Sequence, residues 1–148
     1  MPNKDIIKIK LAAMASYFEE LLPIINDANK GLVDTQSQKI YIIERLFLLI
    51  VDAAIDINTH IISRYKFESP DDYQGTFKIL AKNKIISPDL STRISNSVGL
   101  RNKMVHGYEG VSRKEMLDYI VNGIDQYREY MEFINNYLEK FSKNSLES

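Results

Sequence analysis

Arg101 and His106 are the two side chains in this sequence whose types best suit chemistry on a phosphodiester. A guanidinium can hold a phosphate through two parallel hydrogen bonds, and an imidazole can give or take a proton near neutral pH. Their five-residue step spans about 140° of a regular helix, so they act together only if the helix ends or distorts, as Gly107 favours. The same spacing also fits a surface pair or a histidine at the negative end of a helix dipole, so both interpretations stay open.

A second group of ionisable side chains falls on one stripe of an otherwise apolar helical segment and comprises Arg45, Asp52, Asp56 and His60. Charged groups on a buried helix are costly unless they pair with one another or line a wet cleft. The stripe therefore indicates a ladder of salt bridges, the wall of a cleft, or a seam between subunits. A metal site is less favoured, because Asp52 and His60 are two turns, about 12 Å, apart along the axis. We expect no metal and no cofactor.

The elements that carry these residues are predicted to be helices, because apolar residues recur at three- and four-residue intervals along almost the whole chain. No segment alternates like a strand hairpin, so we predict an all-α, up-and-down bundle of about five helices. Capping residues and proline at the first helical position mark the helix starts. These predicted starts are Lys4, a capping box at Thr35–Gln38, Ser69–Pro70, Ser87–Pro88, and a capping box at Ser112–Glu115. The last helix is predicted to run unbroken to Leu138.

Length and composition limit what this chain can be. With 148 residues, 45% of them hydrophobic, we predict one domain over 1–148, with a frayed tail over 142–148. The absence of cysteine excludes disulfides and thiolate chemistry and favours a cytoplasmic location. No apolar run resembles a secretory signal or approaches the roughly 20 residues of a membrane span. The net charge of −1 excludes a broadly basic surface, so any contact with nucleic acid must be local.

The segment Arg101-Asn-Lys-Met-Val-His106 resembles the arginine, four residues, histidine motif of HEPN ribonucleases. Gly107-Tyr108 extends it to the histidine-x-tyrosine form of the HepT toxins, although that family often has an acidic residue where this chain has Gly107. Further segments resemble HepT proteins in the same order, at 43–47, 52–60, 69–73 and 85–90. The resemblance therefore covers about residues 39–119.

This resemblance implies a HEPN-like bundle that forms a homodimer, so that two motifs line one cleft and cut RNA without a metal. It implies that His106 acts as acid or base while the ribose 2′-hydroxyl attacks the neighbouring phosphate, and that Arg101 stabilises the charge that develops. Asn102 and Lys103 would support the substrate phosphate. It also implies a type VII-like toxin–antitoxin pair, in which an MntA-like nucleotidyltransferase antitoxin neutralises the toxin by transferring AMP to Tyr108.

Two other functions remain open at this stage. Related HEPN bundles can serve without cutting RNA, so the chain fits a non-catalytic module that binds nucleotide or scaffolds a nucleotidyltransferase. A metal-dependent enzyme built on Asp52, Asp56 and His60 would instead lose its activity on chelation. The basic residues Lys103, Arg113 and Lys114 fit either a local positive rim for RNA or ordinary solvated surface charge.

Overall fold

The structure is a computed structural model that describes the backbone of residues 4–147 and the side chains of residues 6–140. Over this part of the chain it contains helices and no strand, so the all-α prediction is confirmed. There are six helices rather than about five: α1 (Lys4–Asn29), α2 (Lys39–Tyr65), α3 (Tyr73–Lys82), α4 (Pro88–Val105), α5 (Arg113–Gly123) and α6 (Gln126–Glu147). The predicted fraying of 142–148 falls outside the residues whose side chains are described.

The longest helix, α2, has 27 residues and forms the centre of the bundle, where it packs against α1, α3, α4 and α5. Apolar residues at helical spacing place Met14 and Leu21 of α1, and Ile43 and Ile50 of α2, fully inside the core. Burying such side chains contributes about 1.5–3 kcal/mol each. Among the described residues, no helix combines the length and apolarity needed to cross a bilayer.

Two of the predicted helix starts are wrong. Thr35–Gln38 does not form a capping box, because Asp34 Oδ1 and Ser37 Oγ accept the backbone N–H groups of Gln36 and Lys39 and hold this segment in turns. Likewise Ser69 does not cap α3. Asp72 does, in an extended conformation, and its Oδ1 accepts the Gly75 N–H at 2.7 Å.

Other predicted starts are confirmed, but the last helix is not continuous. Ser87 caps α4 with Pro88 in its first turn, and Ser112 and Glu115 form the predicted capping box. The helix that was expected to reach Leu138 ends at Gly123, and α6 begins at Gln126. Glycine weakens a helix, and the break allows Ile124 and Tyr127 on its C-terminal side to be buried as α6 packs against α4.

Buried hydrogen bonds fix the relative positions of α2, α3, α4 and α6. The Tyr130 hydroxyl donates to Asn58 Oδ1 at 2.6 Å, while Asn58 Nδ2 donates to Thr76 Oγ1 at 3.1 Å. Tyr127 shares a second hydrogen bond with Ser97 on α4. Burial raises the pKa of both phenols, which therefore stay neutral inside the core. These bonds hold α4 against α2, the two helices that meet at the candidate site.

Candidate active site

Arg101 lies on α4 with its guanidinium directed into a cleft beside α2. Its Nε donates to Asp52 Oδ1 at 2.9 Å, and its Nη1 donates to Asn102 Oδ1 at 3.1 Å. Its Cζ lies 5.2 Å from the centre of the Tyr73 ring, a cation–π distance. The side chain is only 19% exposed. Within the described chain Nη2 has no protein partner, so the guanidinium is oriented on one side and keeps a donor for an anion.

The cleft has a volume of about 430 Å³ and is lined by Asp52, Ile55, Asp56, Thr59, Tyr73 and Arg101. Only two of the four charged residues on the α2 stripe line this cleft. Asp52 pairs with Arg101, and Asp56 pairs with Lys10 of α1 at 3.1 Å, so both carboxylates of the stripe lie at the cleft. Arg45 is exposed and His60 is half-buried, and neither lines this cleft.

The metal site considered for Asp52, Asp56 and His60 lacks its ligand cluster. Among the described residues, no three histidine or carboxylate side chains converge on a point where one ion could bind. The two carboxylates instead have cationic partners on other helices. Their chemistry in this fold is that of ion pairs, as in the salt-bridge interpretation of the stripe.

His106 occupies the end of α4, as the motif requires. The helix stops at Val105, the His106 N–H still bonds to Asn102 O at 3.1 Å, and Gly107 then adopts φ +79°. That left-handed conformation costs glycine little and ends the helix where the sequence predicts. The His106 side chain is exposed. His106 does not line the cleft that Arg101 enters.

Asn102 and Lys103 lie in different surroundings. Asn102 is half-buried and bonds directly to Arg101, as expected of a residue that supports the same phosphate site. Lys103 is exposed and lines a separate cavity of about 340 Å³ between α4 and α5, together with Glu115 and Tyr119. The structure therefore brings Asn102, but not Lys103, into contact with the Arg101 guanidinium.

Tyr108 follows in a tight turn and belongs to a second cluster. Its backbone has φ +64°, and its N–H bonds to Lys103 O at 2.7 Å. Its ring lies 5.3 Å from Arg113 Cζ, and its hydroxyl oxygen is buried. Burial first, and then the neighbouring Glu44 carboxylate, raise the pKa of this phenol above its usual value.

Sequence reasoning missed Tyr73 and Glu44. Tyr73 opens α3, and no spacing links it to the motif on α4. Glu44 could have been noticed, because it is an acidic residue between the apolar Ile43 and Phe47 on the helix that forms the core, and a charge at such a position needs a partner. The partner it would meet, the loop after α4, is more than sixty positions away and is visible only in the fold.

The chain is similar to known proteins over most of its length. A family model described as "Ribonuclease HepT-like" matches residues 14–134. A protein named tRNA nuclease HepT, from Aphanizomenon flos-aquae (strain 2012/KM1/D3), is 35% identical over 133 residues, which is 90% of each chain. A protein named mRNA nuclease HepT, from Shewanella oneidensis, is 25% identical over 130 residues, 88% of this chain and 96% of that protein.

A solved structure shares the fold. It is described as a tri-AMPylated Shewanella oneidensis HEPN toxin in complex with MNT antitoxin, with a TM-score of 0.77 at 24% identity, over 89% of this chain and 98% of that one. The described part of the protein is thus an all-helical domain that shares the fold of that toxin. By sequence it belongs to the HepT-like ribonuclease family.

Proposed function

We propose that this protein is the toxin of a toxin–antitoxin pair, a cytoplasmic endoribonuclease that cuts RNA without a metal ion and is neutralised by AMP transfer to Tyr108. Family membership supports the class of activity. The single observation that carries the assignment of the site is the pairing of Arg101 with Asp52, which orients a part-buried guanidinium on the same helix whose end carries the exposed His106.

The proposed cleavage is an internal transesterification of RNA. The ribose 2′-oxygen forms a bond to the adjacent phosphorus, the bond from phosphorus to the 5′-oxygen of the next nucleotide breaks, and a 2′,3′-cyclic phosphate results. The 2′-hydroxyl must lose a proton and the 5′-oxygen must gain one, which is the role of His106. Arg101 donates to the phosphate oxygens as charge builds on them. Asp52 and Asn102 hold the guanidinium in place.

We infer that the active form is a homodimer. One chain offers one Arg101 and one His106, whereas the reaction needs both a base and an acid. A second copy with its motif across a shared cleft supplies the other imidazole. Two exposed, largely apolar side chains flank the motif, Tyr73 at 49% and Val105 at 53% exposure. Such groups are suited to burial against a second subunit.

The partner is inferred to be an MntA-like nucleotidyltransferase antitoxin. The structure described for the Shewanella oneidensis toxin contains such an antitoxin and an AMPylated toxin. Tyr108 stands two residues after His106, so an adenylate on it would place bulk and negative charge beside the catalytic imidazole. The phosphate of that adenylate could also occupy Arg101, and both effects would exclude RNA.

The test is RNA cleavage by purified protein in the presence of a chelator. Arg101→Ala and His106→Ala should each abolish cleavage, whereas Arg64→Ala and His60→Ala, at the chain's only other histidine, should keep it. Full cleavage by folded His106→Ala would remove the catalytic assignment, and dependence on added metal would contradict the metal-independent mechanism. Inactivity of the unmodified wild-type protein on all RNA would favour the non-catalytic module.

A further inference from the structure

The hydroxyl of Tyr108 is closed off from solvent although the turn that carries it is exposed. His106, Gly107, Glu109 and Gly110 around it are all exposed. The Tyr108 hydroxyl oxygen, in contrast, is buried. Tyr108 also adopts φ +64°, a left-handed conformation that costs a tyrosine about 1–2 kcal/mol. The backbone bond from Tyr108 N–H to Lys103 O and the contacts of the side chain together hold it in this position.

The group against the hydroxyl is the carboxylate of Glu44. Glu44 lies on α2 with its side chain 15% exposed, and its Oε1 is buried like the Tyr108 oxygen. A phenol can donate a hydrogen bond and a carboxylate can accept one, so the two groups are complementary, but neither of these two oxygens makes a hydrogen bond within the described residues. Burial and this carboxylate raise the pKa of the phenol, so the enclosed oxygen keeps its proton more firmly than a free tyrosine does.

Arg113, the first residue of α5, covers the same position from outside. Its Cζ lies 5.3 Å from the Tyr108 ring centre and 4.8 Å from that of Tyr41, and its Nε lies 3.7 Å from Glu44 Oε1. The guanidinium thus stacks on the Tyr108 ring and balances the buried carboxylate. Two residues from different helices therefore enclose one tyrosine.

We propose that Glu44 and Arg113 form a latch that holds Tyr108 closed, and that the partner nucleotidyltransferase can modify Tyr108 only after the phenol leaves this latch. The inference rests on the proposed function. In the transfer, the phenolic oxygen bonds to the α-phosphorus of ATP, the bond from that phosphorus to the bridging oxygen of the β-phosphate breaks, and pyrophosphate departs. The phenolic proton passes to a base of the partner. An oxygen buried against Glu44 cannot make the in-line approach that this attack requires.

The closed position also excludes Tyr108 once the tyrosine carries AMP. A tyrosyl adenylate carries a negative phosphodiester and a bulky nucleoside, whereas the closed position offers a buried carboxylate. Like charges at such a site repel strongly. The modified residue therefore stays outside the latch, beside His106, and opening of the turn becomes part of the inhibited state.

The first experiment measures AMP addition with the partner nucleotidyltransferase, ATP and magnesium, followed by intact-mass spectrometry over time. Removing the carboxylate in Glu44→Ala should speed modification of Tyr108 about tenfold, with a smaller gain in Glu44→Gln, which keeps a neutral side chain of similar size. The exposed neighbour Glu109→Ala is the matched control and should modify at the wild-type rate. A Glu44→Ala rate equal to or below wild type would overturn the latch.

A second measurement needs no partner. N-acetylimidazole acetylates accessible phenols, and peptide mass spectrometry locates the product. Wild-type Tyr108 should react much more slowly than Tyr41, which is 55% exposed, and should become reactive in Glu44→Ala and in Arg113→Ala. The arginine variant removes a half-exposed group and guards against misfolding of the glutamate variant. Equal wild-type rates at the two tyrosines would refute the latch even if AMP transfer occurs, whereas slow acetylation without any AMP transfer would leave the closed position intact and refute the proposed function.

Discussion

Arg101 Nε lies 2.9 Å from Asp52 Oδ1, although 49 positions separate the two residues in the chain. One comes from the C-terminal half of α4 and the other from the middle of α2. Their pairing turns one edge of the guanidinium toward α2, while Nη1 donates to Asn102 and Nη2 keeps its donors for the cleft. The carboxylate is about half-exposed, so its main effect is to orient Arg101 rather than to stabilise the fold.

The first prediction concerns this orienting carboxylate. Asp52→Ala should lower RNA cleavage about ten- to a hundredfold, because Arg101 loses a charge-assisted hydrogen bond and its fixed direction. Asp52→Asn should restore much of the rate, since the amide oxygen still accepts from Nε. Initial rates on one RNA, together with melting temperatures, would measure both effects.

Asp56→Ala provides the control for that series. Asp56 lines the same cleft but pairs with Lys10 instead of Arg101. Its loss should leave cleavage within about twofold of wild type, because exposed ion pairs contribute little. An equal loss in Asp52→Ala and Asp56→Ala, or no recovery in Asp52→Asn, would contradict the positioning role.

The second prediction concerns neutralisation. Tyr108→Phe should stay folded and should resist neutralisation by the partner's catalysis, because it lacks the oxygen that accepts AMP. The measurement is RNA cleavage before and after incubation with the partner, ATP and magnesium. Tyr41→Phe is the control and should be silenced like wild type. Silencing of Tyr108→Phe with ATP-dependent mass addition elsewhere would place the modified residue outside the motif.

The third prediction is a homodimer with the two motifs facing one another. Light scattering at micromolar concentration should give about twice the 17.1 kDa chain mass. A charged residue at an exposed apolar position beside the motif, Val105→Glu, should weaken association and cleavage together, whereas the same change at Ile9, an exposed apolar position of α1 outside the motif, should spare cleavage. A fully active monomer would disprove this assembly.

The fourth prediction concerns the buried network that aligns the helices. Tyr130→Phe removes the donor to Asn58 Oδ1 and leaves that buried oxygen without its partner. The free energy of unfolding should fall by about 1–3 kcal/mol, as measured by urea denaturation. Tyr17→Phe, at a half-buried tyrosine of α1, should change stability by less than about 0.5 kcal/mol. Equal effects would show that the network contributes nothing specific.

Much of the fold could be predicted from the sequence because its signals are local. Helical spacing of apolar residues predicted helices almost everywhere, and Ser87–Pro88 and Ser112–Glu115 predicted two starts correctly, since a cap acts within four residues. Gly107 marked the end of α4 for the same reason. The predictions were wrong where local signals compete. Asp72 displaced Ser69 as a cap, and Gly123 ended a helix whose apolar pattern continues.

The motif itself, Arg101 to His106 followed by Tyr108, was determined by the sequence and its resemblance to a family. Which side chains surround that motif was decided only by the tertiary structure. The charged stripe of α2 offered four residues on one face, and the packing of α4 against α2 selected Asp52 alone to meet Arg101. The fold likewise brought Glu44 to Tyr108. Such pairings depend on the distance between helices distant in sequence, and periodicity within one helix carries no information about that distance.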